Sequence, residues 1–452
     1  MKVTLIYPGI SGIGFNSYGR GSEGSWISHG LCMLSGYAKE HGYPVNLIDL
    51  RALKSWEHFA ERIKSERPDV VGITMMSVDY QPAVRSIDII KEVSPETKVV
   101  VGGPHPSLML HTMTENPKID YVVTREGEIS FVKLLKDIED NKANQRVIVG
   151  EAPDLDALPY ADRDLFPHLE SPLASDDFPP PFVTIIAGRG CLYKCSFCQP
   201  AERSIFGKNV RRRSVENVIG ELSLLRERYN FKSWMIHDDC ITEDTEWVTA
   251  FCEEYAKAGF TQPFACQSRS DIICRHEDMV KKMADVGLKL FFIGFESGNQ
   301  RVLNFLRKGS RVEHNYKSAE VCRRYGIKVW ANYMMGMPTE TKEEVMDTVN
   351  MIRAIKPDFY SPAFYTPHPG SDLYDYCIEH DLMISRGPES YRRNPTEEKI
   401  KGVDYKFLRR AMEDSMGIPH GFGKFIPVVK PFLNRFPRLK NLAYRVVRGS
   451  SH

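Results

Sequence analysis

The feature that most constrains this 452-residue chain is an alternation, met twice, of short β-branched runs with helix-length segments. Apolar runs of strand length occupy residues 3–7, 45–49, 70–74, 98–101 and 121–124, and each is followed by a segment with 3.6-residue apolar spacing. Strands separated by helices pair in parallel, because each crossover returns the chain to the same end of the sheet. Residues 1–140 are therefore expected to form an α/β, doubly wound, Rossmann-like domain. Residues 151–182 hold seven of the 28 prolines, among them Pro179, Pro180 and Pro181, with no periodicity, so the span 141–181 reads as a linker. Alternation resumes with strands expected at 183–187, 234–237, 264–267, 290–295, 329–334 and 359–364, and with helices such as 215–229 and 343–355 between them. Six strand-helix units suit a partial (βα)6 barrel over residues 182–385 better than a closed eightfold one. In both architectures ligands sit at the carboxyl ends of the strands, so the loops there are where chemistry is expected.

Sixty Lys and Arg balance 59 Asp and Glu, a net charge of +1 that gives no reason to expect a nucleic-acid partner. No stretch approaches the roughly 20 apolar residues of a membrane span, and the start of the chain lacks the basic-then-apolar layout of a secretory signal. A cytoplasmic location is the expectation, and with it reduced thiols. Of ten cysteines, Cys32, Cys240, Cys252, Cys266, Cys274, Cys322 and Cys377 are scattered and read as small buried hydrophobes. The other three, Cys191, Cys195 and Cys198, fall within eight residues.

Three thiolates at these spacings leave one corner of a four-iron cube without a protein ligand, and an open iron is a reactive site. Structural zinc wants four ligands in paired short spacings, and no second CxxC or nearby His completes such a set, so a [4Fe-4S] cluster is the better reading. CxxxCxxC with Phe197 before the last cysteine, in the first loop of a partial βα barrel, resembles the signature of radical S-adenosylmethionine (radical SAM) enzymes. The resemblance implies that the open iron binds the amino and carboxylate groups of S-adenosylmethionine. An electron from the reduced cluster then cleaves it to methionine and a 5′-deoxyadenosyl radical. It also implies cofactor contacts at later strand ends. Asp238 and Asp239 end the second barrel strand, where acidic groups suit the ammonium, and Ser268 and Arg269 follow the third, where Arg suits the methionyl carboxylate. Glu296, in Gly294-Phe295-Glu296-Ser297-Gly298, resembles the family's ribose-contacting glutamate. Asn332 on the fifth strand and Tyr365 after the sixth lie in segments that resemble its adenine side.

The amino-terminal domain resembles the cobalamin-binding domain that precedes the barrel in one large branch of this family. The likeness rests on Val101-Gly102-Gly103-Pro104-His105-Pro106-Ser107 and Arg125-Glu126-Gly127-Glu128. Paired glycines let backbone approach a large flat ligand, and small polar residues satisfy corrin amides. The implied cobalamin contacts are Pro8 and Gly9 after the first strand, and Met75, Met76 and Ser77 after the third. Gly102, Gly103, Pro104 and His105 follow the fourth, and Glu126 and Gly127 the fifth. A doubly wound domain with tight turns and no ligand is the bland alternative. A dinucleotide fits less well, because the loop after the first strand lacks the full GxGxxG. The Asp-x-His-x-x-Gly motif, whose His ligates cobalt in other cobalamin proteins, is absent, so a base-off corrinoid without His ligation is implied, its lower face toward residues 75–81.

Taken together, the resemblance implies a cobalamin-dependent radical SAM C-methyltransferase, supplied with electrons by a ferredoxin or flavodoxin. It would move a methyl group from S-adenosylmethionine through methylcobalamin to an unactivated carbon. One alternative keeps the architecture but cyclises or rearranges a lipid or tetrapyrrole without methylation; another is an iron-sulfur redox protein without turnover. Substrates in the family range over peptides and proteins, lipids and small molecules. The lean here is to a peptide or protein carbon, such as those C-methylated in methyl-coenzyme M reductase. Radical chemistry needs a dry, enclosed space rather than an acid-base triad, so His237, His368 and Tyr365 receive no role as a general base. Residues 386–452 are expected to be basic and mostly helical. From Ser415 onward there are seven Lys or Arg and no Asp or Glu, interleaved with Phe422, Phe425, Phe432, Phe436 and Tyr444. This end reads as a basic helix packed on the barrel, or as a contact for an acidic partner, an anionic substrate or a membrane surface.

Overall fold

The computed structural model describes residues 1–20, 24–166, 170–387 and 397–420. The first sheet holds β1 (Val3–Tyr7), β2 (Val45–Asp49), β3 (Val70–Thr74), β4 (Lys98–Gly102), β5 (Tyr121–Thr124) and β6 (Val147–Val149). All are parallel, in the order β2-β1-β3-β4-β5-β6. Helices His29–Glu40 and Glu128–Glu139 bury Leu31, Cys32, Ala38, Phe131, Leu134 and Leu135 on one face. Helices Trp56–Glu66 and Tyr80–Val93 bury Phe59, Ile63, Ala83, Ile87 and Ile90 on the other. The order reverses between β1 and β3, which opens a crevice at their carboxyl ends. The sequence shows five strands and an end at residue 140; β6 lies beyond it, paired with β5 through Val122↔Val147. Three residues at a sheet edge are too few to display a period.

The second sheet begins with β7 (Phe182–Ile185), followed by a hairpin of β8 (Gly188–Arg189) and β9 (Arg211–Arg212). It continues through β10 (Ser233–Ile236), β11 (Phe264–Ser268), β12 (Leu288–Glu296), β13 (Lys328–Met335) and β14 (Phe359–Phe364). The order β14-β13-β12-β11-β10-β7 follows the chain, each neighbour is parallel, and β7 and β14 do not pair, giving the expected open six-stranded barrel. Outward residues such as Val183, Trp234, Cys266, Ile293 and Tyr333 pack against the helices in one large core. The helix Val215–Tyr229 starts on the Ser214 cap and stops at Asn230 in the left-handed region; Lys342–Ile355 starts on a reciprocal Thr341/Glu344 box.

The proline-rich span is not the loose linker its composition suggests. Leu155, Leu158, Leu165, Phe166, Leu173 and Phe178 are buried, and Glu170 bridges to Phe182 at the edge of β7. Its aperiodicity comes from following two domain surfaces instead of one helix face or pleat. At the other end, helix Tyr405–Met416 sends Leu408, Ala411 and Met412 into the barrel core, and the Tyr333 hydroxyl meets Ser415 Oγ at 2.6 Å. The expectation for the basic aromatic tail falls on residues 421–452, outside the described residues. Among the described residues no helix is long and apolar enough to cross a membrane.

Candidate functional site

The β8–β9 hairpin pinches off an excursion that carries all three clustered cysteines. Cys198 and Gln199 donate their N–H groups to the Cys195 carbonyl at 3.0 and 2.8 Å. Ser196 N–H reaches the Leu306 carbonyl (2.9 Å), and the N–H groups of Asp372 and Leu373 reach the carbonyls of Gln199 (2.8 Å) and Ser196 (2.9 Å). Cys195 is buried, Cys191 half-buried, and Cys198 exposed into the barrel mouth. Burial pushes the half-buried Cys191 thiol up to about 11, so metal binding there must displace its proton.

Cations gather beside this loop. Arg269 Nη1 lies 3.8 Å from Cys195 Sγ, with the guanidinium 3.6 Å over the Tyr193 ring and its Nε on Asp271 at 2.9 Å. A second guanidinium N–H holds the Lys308 carbonyl. Lys308 is itself buried: desolvation works against its charge, but the Glu296 carboxylate, at 2.8 Å, holds it cationic. Glu296 ends β12 with φ +59°, a strained left-handed conformation for a side chain of its size, and Lys308 lies 5.9 Å from the Phe197 ring. Two buried cations beside three thiols suit an anionic iron-sulfur cluster. Among the described residues no three His, Cys, Asp or Glu side chains converge to hold a single ion; a cube instead takes its thiolates from separate corners.

On the other side, Asp239 shares a hydrogen bond with Glu202, from the helix Ala201–Phe206. Burial, then the charge of Asp239, pushes the Glu202 carboxyl up, so the pair retains a proton. Both acids bear electrostatically on Cys191, and Glu202 on Cys198. Asp238 does something else. Its carboxylate accepts the Ala187 N–H at 2.7 Å and Arg212 Nη1 at 3.2 Å, tying the end of β10 to the first turn and to β9. Ser268 Oγ is spent on Thr242 Oγ1 at 2.7 Å and is buried. Tyr365 is buried beside Cys377 and Cys198, and Asn332 faces inward, half-buried. Sequence reasoning missed Glu202, Lys308 and Tyr193; Tyr193 and Glu202 lie within four residues of a cluster cysteine, whereas nothing local marks Lys308.

At the crevice of the first domain, Gly103 has φ +99°, and a Cβ there would lie 3.1 Å from Met75 N and from Thr74 Oγ1. Met75 N–H donates to the Gly102 carbonyl and His105 N–H to the Met75 carbonyl, each at 2.9 Å, while Ser77 Oγ meets His105 Nδ1 at 2.9 Å. The loops after β3 and β4 are thus laced together. Met75 and His105 are fully buried within the lacing. Met76, 53% exposed, Ser77, Gly102, Pro104 and Gly127 remain accessible. Pro8 is buried, and Gly9 is required by the Tyr7 ring, 2.5 Å from where its Cβ would sit. Gly103→Ala is expected to cost about 1–3 kcal/mol, read as a lower urea midpoint.

Burial lowers the His105 ring from 6.5 to about 4. Since the folded value lies below the unfolded one, its contribution is complete above pH 6.5 and is lost as pH falls through 4. About 2–3 kcal/mol should disappear over that window, and His105→Gln should flatten the loss in urea titrations at pH 7, 5.5 and 4.

Glu126 pairs with two arginines of the barrel domain. Arg189 Nη1, on β8, reaches its carboxylate at 2.7 Å, Arg211 on β9 takes its other oxygen, and Arg189 Nη2 reaches Glu128 at 2.6 Å. Leu108 meanwhile lies 2.8 Å from where a Gly370 Cβ would be, so the loop after β4 touches the loop after β14.

A doubly wound domain laced at its switch point is clamped to an open barrel whose first loop carries three cysteines. Residues 18–135 match the B12 binding domain family and residues 185–352 the Radical SAM superfamily. The chain therefore carries a B12-binding domain followed by a radical SAM domain. It is 28% identical over 403 residues to an uncharacterized methyltransferase of Pyrococcus horikoshii, covering 84% of this chain and 86% of that one. It is 27% identical over 399 residues to the anaerobic magnesium-protoporphyrin IX monomethyl ester cyclase of Rubrivivax gelatinosus, covering 83% and 69%. The fold resembles the radical S-adenosylmethionine methyltransferase TsrM from Kitasatospora setae, solved with cobalamin and a [4Fe-4S] cluster, with TM-score 0.67 and 16% identity over 91% of this chain and 88% of that one.

Proposed function

We propose that this chain is a cobalamin-dependent radical SAM methyltransferase acting on an unactivated carbon. The observation that carries the reading is the clamp: Arg189, two residues before Cys191, is held by Glu126 and Glu128 of the B12-binding domain. It fixes the loop edge of one domain against the cysteine loop of the other. When bound, the cluster supplies the electron that cleaves S-adenosylmethionine, and cobalamin carries the methyl group.

The chain's own residues supply the rest. Cys191, Cys195 and Cys198 hold the cluster, with Arg269 and Lys308 offsetting its negative charge. Asp239 with Glu202 takes the ammonium of S-adenosylmethionine, Arg269 its carboxylate, and Asn332, Glu296 and Tyr365 line the adenosine side. Met76, Ser77, Gly102, Gly103, Pro104 and Gly127 face the corrin. A ferredoxin or flavodoxin supplies electrons. The names of the Pyrococcus and Kitasatospora proteins support methyl transfer.

The Rubrivivax cyclase favours a second reading, ring formation without methylation. Anaerobic turnover with methyl-labelled S-adenosylmethionine separates the two. Label in the product is expected; its absence from a product that nevertheless forms would establish the second reading.

A further inference from the structure

The inward face of the barrel carries three large rings that the core leaves half-buried. On β12 and β13 the outward side chains Phe291, Ile293, Val329, Ala331 and Tyr333 are buried in the helix-facing core. The inward Phe292, Trp330 and Phe359 stay half-buried and stack in a row, with centroids 5.0 and 5.1 Å apart and planes inclined by 29° and 24°. Below them the floor is closed by buried Leu173, Phe178, Phe182, Met235, Ala265 and Leu290. Lys328 and Asp177, paired at 2.6 Å, fasten the strap over it. Above Trp330 on the same face of β13 come Asn332 and Met334, and Met334 packs in the group that includes Phe197, beside Cys198. The aromatic wall therefore leads up to the cysteine loop.

A polar end adjoins the same floor. Trp26, from the B12-binding domain, packs against the same buried floor as the three rings and meets the His237 ring edge-on at 4.7 Å and 68°. Trp26 Nε1 and His237 Nε2 are both buried and have no hydrogen-bond partner among the described residues. An indole N–H can only donate, so it calls for an acceptor on a ligand. The neighbouring charges are already matched. His29 Nε2 meets Thr184 Oγ1 at 2.7 Å, Thr184 donates to Glu170 Oε1 at 2.6 Å, and Glu170 pairs with Arg163 at 3.2 Å.

We propose that the substrate of this chain is a flat, apolar molecule bearing a carbonyl or carboxylate oxygen, its body on Phe292, Trp330 and Phe359 and its oxygen on Trp26 Nε1 and His237. The inference rests on the methyltransferase reading for calling the ligand a substrate, but the binding site itself is tested without turnover. The probe is 2-naphthoate, titrated by calorimetry into the full chain reconstituted with cluster and cobalamin. One saturable site is expected. Trp330→Ala should weaken it by at least about tenfold, Trp330→Phe should retain most of the affinity, and Trp26→Phe, which keeps the ring but loses the N–H, should weaken it by about tenfold. 2-Methylnaphthalene, which lacks the oxygens, should bind wild type and Trp26→Phe alike. No saturable binding, equal affinity in wild type and Trp330→Ala, or binding lost on loading cobalamin would each overturn the proposal. 5′-Deoxyadenosine formation is measured on the same preparations; its absence from wild type would remove the methyltransferase reading and leave the naphthoate result to stand or fall separately.

Discussion

Replacing any one of Cys191, Cys195 and Cys198 by Ala is expected to remove the broad brown absorbance of the anaerobically reconstituted chain and to abolish cleavage of S-adenosylmethionine. The effect is all-or-none because a cube held at three corners has no spare protein ligand. The loop also gives no substitute: Ser196 donates its side chain to the Phe305 carbonyl at 3.2 Å, and Tyr193 lies under Arg269. Cys274→Ala is the control. Its thiol sits near the end of helix Ser270–Arg275, 3.3 Å from the His314 carbonyl, and burial pushes it up to about 11, so it is a neutral packed group. Its loss should leave absorbance and cleavage unchanged. Equal dependence on Cys274 would place a cluster elsewhere in the chain.

Glu126→Ala is expected to be the most damaging substitution outside the cluster loop. Glu126 is 5% exposed, and its removal leaves Arg211 without its carboxylate and Arg189 with Glu128 alone. Breaking a buried pair by taking away one partner costs about 3–5 kcal/mol, because the remaining charge is stranded. The half-exposed pair Lys118–Asp88 at 2.6 Å provides the comparison, since Asp88→Ala should cost far less. Urea unfolding gives the energies. Cobalamin retention on gel filtration gives the functional half: Glu126→Ala should release the corrinoid while the iron content of the cysteine loop persists. The double variant with Arg189→Ala and Arg211→Ala should recover part of the stability, because no unmatched charge remains. If Glu126→Ala unfolds no more easily than Asp88→Ala, the clamp is not holding the domains together.

Much of this architecture is legible in the sequence because it is written locally. Strand-length β-branched runs and 3.6-residue spacing mark both sheets, and CxxxCxxC marks the reactive loop before any contact is known. What the sequence hides is long-range. Glu126 reads as a ligand contact because it follows a strand of a ligand-binding domain; that its partners are Arg189 and Arg211, more than sixty residues away, is a fact of three dimensions. Asp238 and Asp239 look equivalent as neighbours, yet past the end of β10 one is spent on backbone and Arg212 while the other meets Glu202. Lys308 enters the site only because the turn after helix Gln300–Phe305 carries it back under Glu296. His105 and Met75 sit in a motif that invites a ligand, but their burial follows from the left-handed turn at Gly103, which folds the loop onto its neighbour.

The most direct test is electron paramagnetic resonance of the reduced, cluster-reconstituted chain before and after S-adenosylmethionine is added. A signal of a single [4Fe-4S] centre whose g-values shift on addition shows an iron with a free coordination site that takes the sulfonium cofactor. An iron signal unmoved by saturating cofactor, or zinc in place of iron on Cys191, Cys195 and Cys198, would contradict the radical mechanism and the methyl transfer built on it.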